Sequence, residues 1–143
     1  MTYLPDVNVW LALAIAEHVH YPAARQWRDS VMPHRLVFCR VAQMGLLRLL
    51  TNPRALGKDH LTSDAAWEVF DALSRDHDAA FAVEPLGFEE VWREYTRIHN
   101  TGVNSWTDAY LAAFASAYGY ALVSFDRGFR RYKGFKVELL GLE

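Results

Sequence analysis

Short apolar runs alternate with longer stretches of helical periodicity along this chain, and that alternation admits few folds. Tyr3 to Pro5, Leu36 to Cys39, Ala80 to Val83, Tyr120 to Phe125 and Lys136 to Leu140 read as strands, with Pro5 acceptable at a strand end. Between them lie helical patterns. Asn8 is expected to cap a helix whose residues Val9 to Ala16 are apolar all round and therefore buried. Pro22 opens a second helix with Ala23, Ala24 and Trp27 on one face. A third runs from Val41 to Thr51, turns Leu46, Leu47 and Leu50 inward, and stops at Asn52-Pro53.

Thr62 or Ser63 caps the next helix, where Ala66, Trp67, Phe70 and Leu73 recur at helical spacing. Phe88, Val91, Trp92, Tyr95 and Ile98 mark a strongly amphipathic helix, most simply a core face. After Gly102, Thr107 or Ser105 is expected to cap the helix that carries Asp108, and Gly119 to close it. Strands alternating with helices predict an α/β fold, a three-layer α/β/α sandwich with a mainly parallel five-stranded sheet. No repeat, low-complexity tract or long linker divides the chain, so residues 1–143 are expected to form one domain.

Three aspartates sit where this pattern places strand ends or helix starts: Asp6 after the first strand, Asp108 at a helix opening and Asp126 after the fourth strand. In a parallel α/β sheet with right-handed crossovers those positions share one edge. Three carboxylates brought together repel one another, by about 4 kcal/mol per pair at about 4 Å and an effective dielectric near 20. The cluster must take up protons, splay apart or hold a cation. An all-oxygen site of few ligands suits Mg²⁺ or Mn²⁺, and metal-assisted phosphodiester cleavage follows as the expected chemistry.

Each acid also has a plainer reading. A lone Asp after a strand is usually a turn former or cap, and Asp108 alone would complement the helix dipole. Placement of all three on one predicted edge favours the site.

Composition excludes several classes. At 143 residues, 52% apolar and 22% charged, the chain resembles an ordinary globular domain. No apolar run approaches the roughly 20 residues that span a bilayer, and Val9 to Ala16 lacks the basic start of a signal peptide. A single cysteine, Cys39, cannot form an internal disulfide, which fits a reducing cytoplasm; its predicted place in a buried strand makes it a core residue. His18 and His20, two apart and without a recurring Cys or His partner, make a poor zinc site. With a net charge of −2, any contact with a polyanion must be local. The run Arg127, Arg130, Arg131, Lys133, Lys136 beside Asp126 reads either as a solvated loop or as a phosphate-steering patch.

The segments Asp6-Val7-Asn8-Val9-Trp10-Leu11-Ala12, Thr107-Asp108-Ala109-Tyr110-Leu111-Ala112-Ala113 and Ser124-Phe125-Asp126-Arg127-Gly128-Phe129, in that order and spacing, resemble the PIN domain. The likeness is nearest to VapC-like toxins of type II toxin–antitoxin systems and includes the middle stretch Gly45 to Pro53. It implies a Mg²⁺- or Mn²⁺-dependent endoribonuclease, usually a homodimer, silenced by a cognate antitoxin. The resemblance makes Asp6, Asp108 and Asp126 the catalytic, metal-binding acids, with Asn8, Thr107 and Ser124 as supporting donors. Arg127 or Arg130 would neutralise a substrate phosphate. Trp106 and Phe129 are candidates for base stacking, though core packing is the simpler role for both.

One departure stands out. Where the family pattern commonly has a glutamate on the third helix, this chain offers Gln43, which adds no charge, and Glu17 is a candidate to compensate. An impaired module that grips RNA without cutting it is therefore the competing reading. A phosphotransfer protein using Asp6 as nucleophile is disfavoured, because Asn8 stands where a second acid would be needed.

Overall fold

Five short apolar segments pair into one sheet in the computed structural model, which describes residues 1–98, 102 and 104–141. They are β1 (Thr2–Pro5), β2 (Arg35–Phe38), β3 (Ala80–Phe81), β4 (Ala121–Ser124) and β5 (Val137–Leu139), in the order β3-β2-β1-β4-β5. Every pairing is parallel, so the expected sheet is present with no antiparallel edge. β1 is central, with Leu4 opposite Leu122 and Pro5 opposite Val123. Backbone hydrogen bonding continues one residue beyond the strand, Asp6 N donating to Val123 O at 2.8 Å. The chain leaves β1 toward β2 and later returns to β1's other side as β4. The crevice at the carboxyl ends of β1 and β4 is thus a topological switch point, where open α/β sheets bind ligands.

Seven helices connect the strands among the described residues: α1 (Val7–Ala14), α2 (Tyr21–Val31), α3 (Arg40–Leu50), α4 (Pro53–Leu56), α5 (Ser63–Asp76), α6 (Phe88–Ile98) and α7 (Ser105–Tyr118). They flank the sheet in two packing groups, α1, α2, α3 and α5 in one, α6 and α7 in the other. The apolar run of α1 explains its place: Val9 to Leu13 are all buried, and Trp10 stacks on Phe38 of β2 with ring centroids 3.9 Å apart.

Several boundaries differ from expectation. The cap of α1 is Asp6, whose backbone is extended and whose Oδ1 accepts from Val7 N at 2.7 Å; Asn8 sits exposed in the first turn. α7 begins at Ser105, but its hydroxyls do not cap it. Ser105 Oγ donates to Gly102 O and Thr107 Oγ1 donates to Asn104 O. Asn52-Pro53 ends α3 as expected and also starts α4, Asn52 Oδ1 accepting from Arg54 N. The third strand is only Ala80–Phe81: it pairs at the sheet edge with Val37 and Phe38 and runs out into exposed Val83. Cys39 lies just past β2, fully buried, and burial pushes its thiol up to about 11.

A buried arginine ties the first helical group together. Arg28 of α2 donates from Nε to His77 Nδ1, from Nη2 to His77 O and from Nη1 to His34 O, at 3.0 to 3.2 Å. These bonds satisfy the guanidinium with carbonyls and a ring nitrogen in place of a carboxylate. His77 must accept, and its burial and the adjacent Arg28 charge both hold its pKa below the ordinary histidine value.

α1 and α3 touch where Gly45 meets Val7, the residue after Asp6. A Cβ at Gly45 would stand 2.7 Å from Val7 Cγ2. Val7 is β-branched and cannot swing aside freely. Crowding of this kind costs about 1–3 kcal/mol, against about 1 kcal/mol gained in helix propensity. Gly45→Ala is therefore expected to lower the melting temperature by roughly 4 °C, and the same change in a Val7→Ala background to raise it. Thermal denaturation of the four chains decides, and a stabilised Gly45→Ala single variant would refute close packing as the reason for glycine here.

Candidate active site

The three aspartates converge on the switch-point crevice. Asp6, Asp108 and Asp126 line one cavity of about 350 Å³, walled by Val7 and Asn8 of α1, by Val41, Met44, Gly45 and Arg48 of α3, and by Asn104, Thr107 and Leu111 around α7. β1 delivers Asp6, the start of α7 delivers Asp108, and the turn after β4 delivers Asp126.

The first acid is locked by its surroundings. Asp6 is 8% exposed, with Oδ1 bound by Val7 N and Oδ2 by Ser124 Oγ at 2.8 Å. The same Ser124 oxygen accepts from Asp126 N at 2.9 Å. One buried hydroxyl therefore fixes the spacing of two of the acids. Asp126 Oδ1 accepts from Gly128 N at 2.8 Å, capping a 3-10 turn over Arg127–Arg131. That turn folds Arg131 back to Asp108, its Nη2 lying 3.6 Å from Asp108 Oδ2.

The electrostatics follow from burial and crowding. Asp108's carboxyl is pushed up to about 6 by loss of hydration and then by the charges of Asp6 and Asp126, with Arg131 opposing. Burial also raises Asp6, against the hydrogen bonds from Ser124 and Val7 that hold it down. This is unbalanced negative charge in a confined space, and its hard oxygen donors fit a small divalent cation. Among the described residues no three acid, His or Cys side chains are gathered closely enough to grip an ion unaided. Both Asp6 oxygens and one Asp126 oxygen are already engaged by protein donors, so a fit here relies on retained water, as Mg²⁺ prefers.

The other named residues separate. Asn8 and Thr107 line the cavity, and Ser124 sits beneath it. Gln43 does not line it: the residue is 6% exposed and its Oε1 accepts from Arg40 Nη1 at 2.6 Å, while α3 turns Val41, Met44, Gly45 and Arg48 to the acids. Arg127 and Arg130 are exposed and away from the lining. Phe129 is core, at 1% exposure. Trp106 is exposed in a separate groove between α6 and α7, its carbonyl accepting from Trp92 Nε1. Glu17 lines another groove with Leu50, Leu61 and Val69.

Two cations near the acids were not singled out from the sequence, Arg131 having stood only as one member of the basic run after Asp126. Arg48 was findable, since it follows Val41 and Met44 at helical spacing and so shares their face. Arg131 was not, because no spacing rule tells which of several basic residues a 3-10 turn folds inward.

Comparison with known proteins bears on the family and the fold. Residues 3–134 match the family model of the PIN domain. The chain is 42% identical over 142 residues to Ribonuclease VapC41 of Mycobacterium tuberculosis, covering 96% of this chain and 97% of that protein. In fold it is similar to VapBC2 of Rickettsia felis, solved bound to a promoter DNA fragment, with a TM-score of 0.73 at 12% identity over 98% and 99% of the two chains. It is likewise similar to Mycobacterium tuberculosis VapC20, a Sarcin-Ricin loop cleaving toxin, with a TM-score of 0.69 at 20% identity over 95% and 98%. The extent of these matches, together with an acid-lined crevice at the switch point, places the chain in the PIN-domain family, among the VapC-type ribonuclease toxins of toxin–antitoxin systems.

Proposed function

We propose that this chain is an endoribonuclease whose Asp6, Asp108 and Asp126 hold a Mg²⁺ or Mn²⁺ ion at the cavity between β1, β4 and α7. The observation that carries the reading is the sharing of one cavity by three carboxylates, with Asp108 pushed up to about 6 in part by the other two. Ribonucleases of this family typically depend on a divalent metal. When bound, the ion would supply positive charge to a phosphate oxygen and ease deprotonation of an attacking water. The protein's own groups do the rest. Ser124 holds Asp6 and the Asp126 backbone in register, and Asn8 and Thr107 offer polar side chains at the cavity wall. Arg48 stands on the wall as a phosphate partner, a role the sequence had suggested for Arg127 or Arg130.

The partners in this reading are RNA, a cognate antitoxin and a second copy of the chain, and the compartment is the cytoplasm. No described helix is long and apolar enough to cross a membrane. Relatives solved as toxin–antitoxin complexes support the antitoxin. So does a groove of about 690 Å³ lined by Ile15, Leu50, Leu56 and Val69 together with Glu17 and Asp59, a surface suited to an amphipathic helix that also carries basic residues. Light scattering of the purified chain is expected to give a dimer, and a monomer at micromolar concentration would remove the second copy from the reading.

Cleavage is tested by incubating a structured RNA pool with the purified chain in Mg²⁺ or Mn²⁺ against EDTA. Cuts are expected only with metal, and Asp6→Asn is expected to lose them by at least about 100-fold. Cuts that persist in EDTA or in the variant would sink the assignment of the site.

The raised Asp108 carboxyl makes a second prediction. A folded-state pKa above the ordinary value of 3.8 means that the contribution to stability is fully present below pH 3.8 and is lost as pH rises through about 6. At pH 7.5 without metal, Asp108→Asn should therefore stabilise the fold, by an amount on the order of 2 kcal/mol. The gain should shrink toward pH 4. Mn²⁺ affinity of the unaltered chain should fall as pH drops through about 6, where Asp108 takes up a proton. Denaturant titrations at the two pH values check the sign, and a destabilised Asp108→Asn at pH 7.5 would contradict it.

A further inference from the structure

We propose that Arg131 is a resident cation beside the acidic cavity, a positioning residue at its Asp108 wall that holds the Asp108 carboxylate toward itself and competes with the divalent ion for it. The inference rests on the metal-site reading above and concerns what limits occupancy of that site.

The guanidinium is anchored to Tyr132 more firmly than to the acid. Nη2 donates to the Tyr132 hydroxyl at 2.9 Å, and the guanidinium carbon sits 4.8 Å from the centroid of the Tyr132 ring, which is 2% exposed. The group also closes on Gly128, where a Cβ would come within 3.0 Å of both Arg131 Nη1 and Asp126 Oδ1. Absence of a side chain at Gly128 thus makes room for the cation beside the acids. Its Nε is shut away from solvent with no acceptor, a cost accepted to keep the group in place.

Asp108 is held differently. At 3.6 Å the Arg131–Asp108 pair is beyond good hydrogen-bond length, so attraction between charges holds it without a directional bond. The carboxylate is free to turn to another cation while the guanidinium stays on Tyr132. Among the described residues no other cation lies within 4.0 Å of any of the three aspartates. Arg127 and Arg130, in the same turn, are exposed and form no ion pair with the three acids.

A positive charge fixed beside the site repels an incoming divalent ion and occupies one of its ligands. Ion binding to the free protein is therefore weaker than the three acids alone would give, and a substrate phosphate, adding negative charge to the cavity, favours ion entry. Calorimetric titration of the RNA-free chain with Mn²⁺ at pH 8 tests this. Arg131→Gln is expected to bind Mn²⁺ roughly tenfold more tightly than the unaltered chain, and Arg131→Lys, which keeps the charge, to bind within about twofold of it. Arg131→Met, whose apolar stem still covers the Tyr132 ring, should repeat the Arg131→Gln result, and circular dichroism verifies that each variant is folded. Equal or weaker Mn²⁺ binding by the folded neutral variants would overturn the inference alone. Absence of Mn²⁺ binding by the unaltered chain and all variants would overturn the metal-site reading with it.

Discussion

Asp6 performs two tasks whose physical demands conflict. As the cap of α1 and the last paired residue of the β1–β4 ladder it must be buried and fully hydrogen-bonded. As a member of an acidic trio it must keep a charge in a place that disfavours charge. The Ser124 hydroxyl reconciles them by donating to Asp6 while accepting from the Asp126 backbone. Fold and site share that bond, because it joins the ends of the two strands on either side of the switch point. The acids lie together because two parallel strands end there and one helix starts there, and Ser124 sets how closely.

The electrostatic state of the cavity follows from this construction. Carboxylates are held near one another by backbone geometry that does not relax when their charges repel. Loss of hydration, and then that repulsion, raise Asp108, and Arg131 lies folded inward beside it. A buried arginine, Arg28, and a half-buried one, Arg131, make a useful contrast. Arg28 is surrounded by carbonyls and a neutral ring nitrogen and serves packing between α2 and the end of α5. Arg131 faces a carboxylate across a gap and keeps a nitrogen unsatisfied. Only the second arrangement has an alternative partner for its acid.

Much of the architecture was readable from the chain because it is written in periodicity. Burial of β1, β2 and β4 and the apolar all-round character of α1 follow from runs of branched and aromatic residues, and the parallel sheet follows from their alternation with helices. Convergence of Asp6, Asp108 and Asp126 on one cavity was likewise a consequence of topology. What could not be read depended on single side chains choosing among equivalent partners. Asp6 took the cap expected of Asn8, since its extended backbone and short side chain reach the first amide. Gln43 bonded Arg40, a choice of rotamer that no pattern encodes. Arg28 and His77, 49 positions apart, find each other only after α2 and α5 have packed.

Helix α3 presents different sides to different surroundings. Ala42, Leu46 and Leu50 are buried, Val41, Met44, Gly45 and Arg48 wall the acidic cavity, and Leu50 at its far end also reaches the apolar groove beside Glu17. An eleven-residue rod of hydrogen-bonded backbone is stiff on that length scale. The two surfaces share no lining residue, yet both are set on this one short rod, so any shift of the rod would be common to the groove and to the cavity wall.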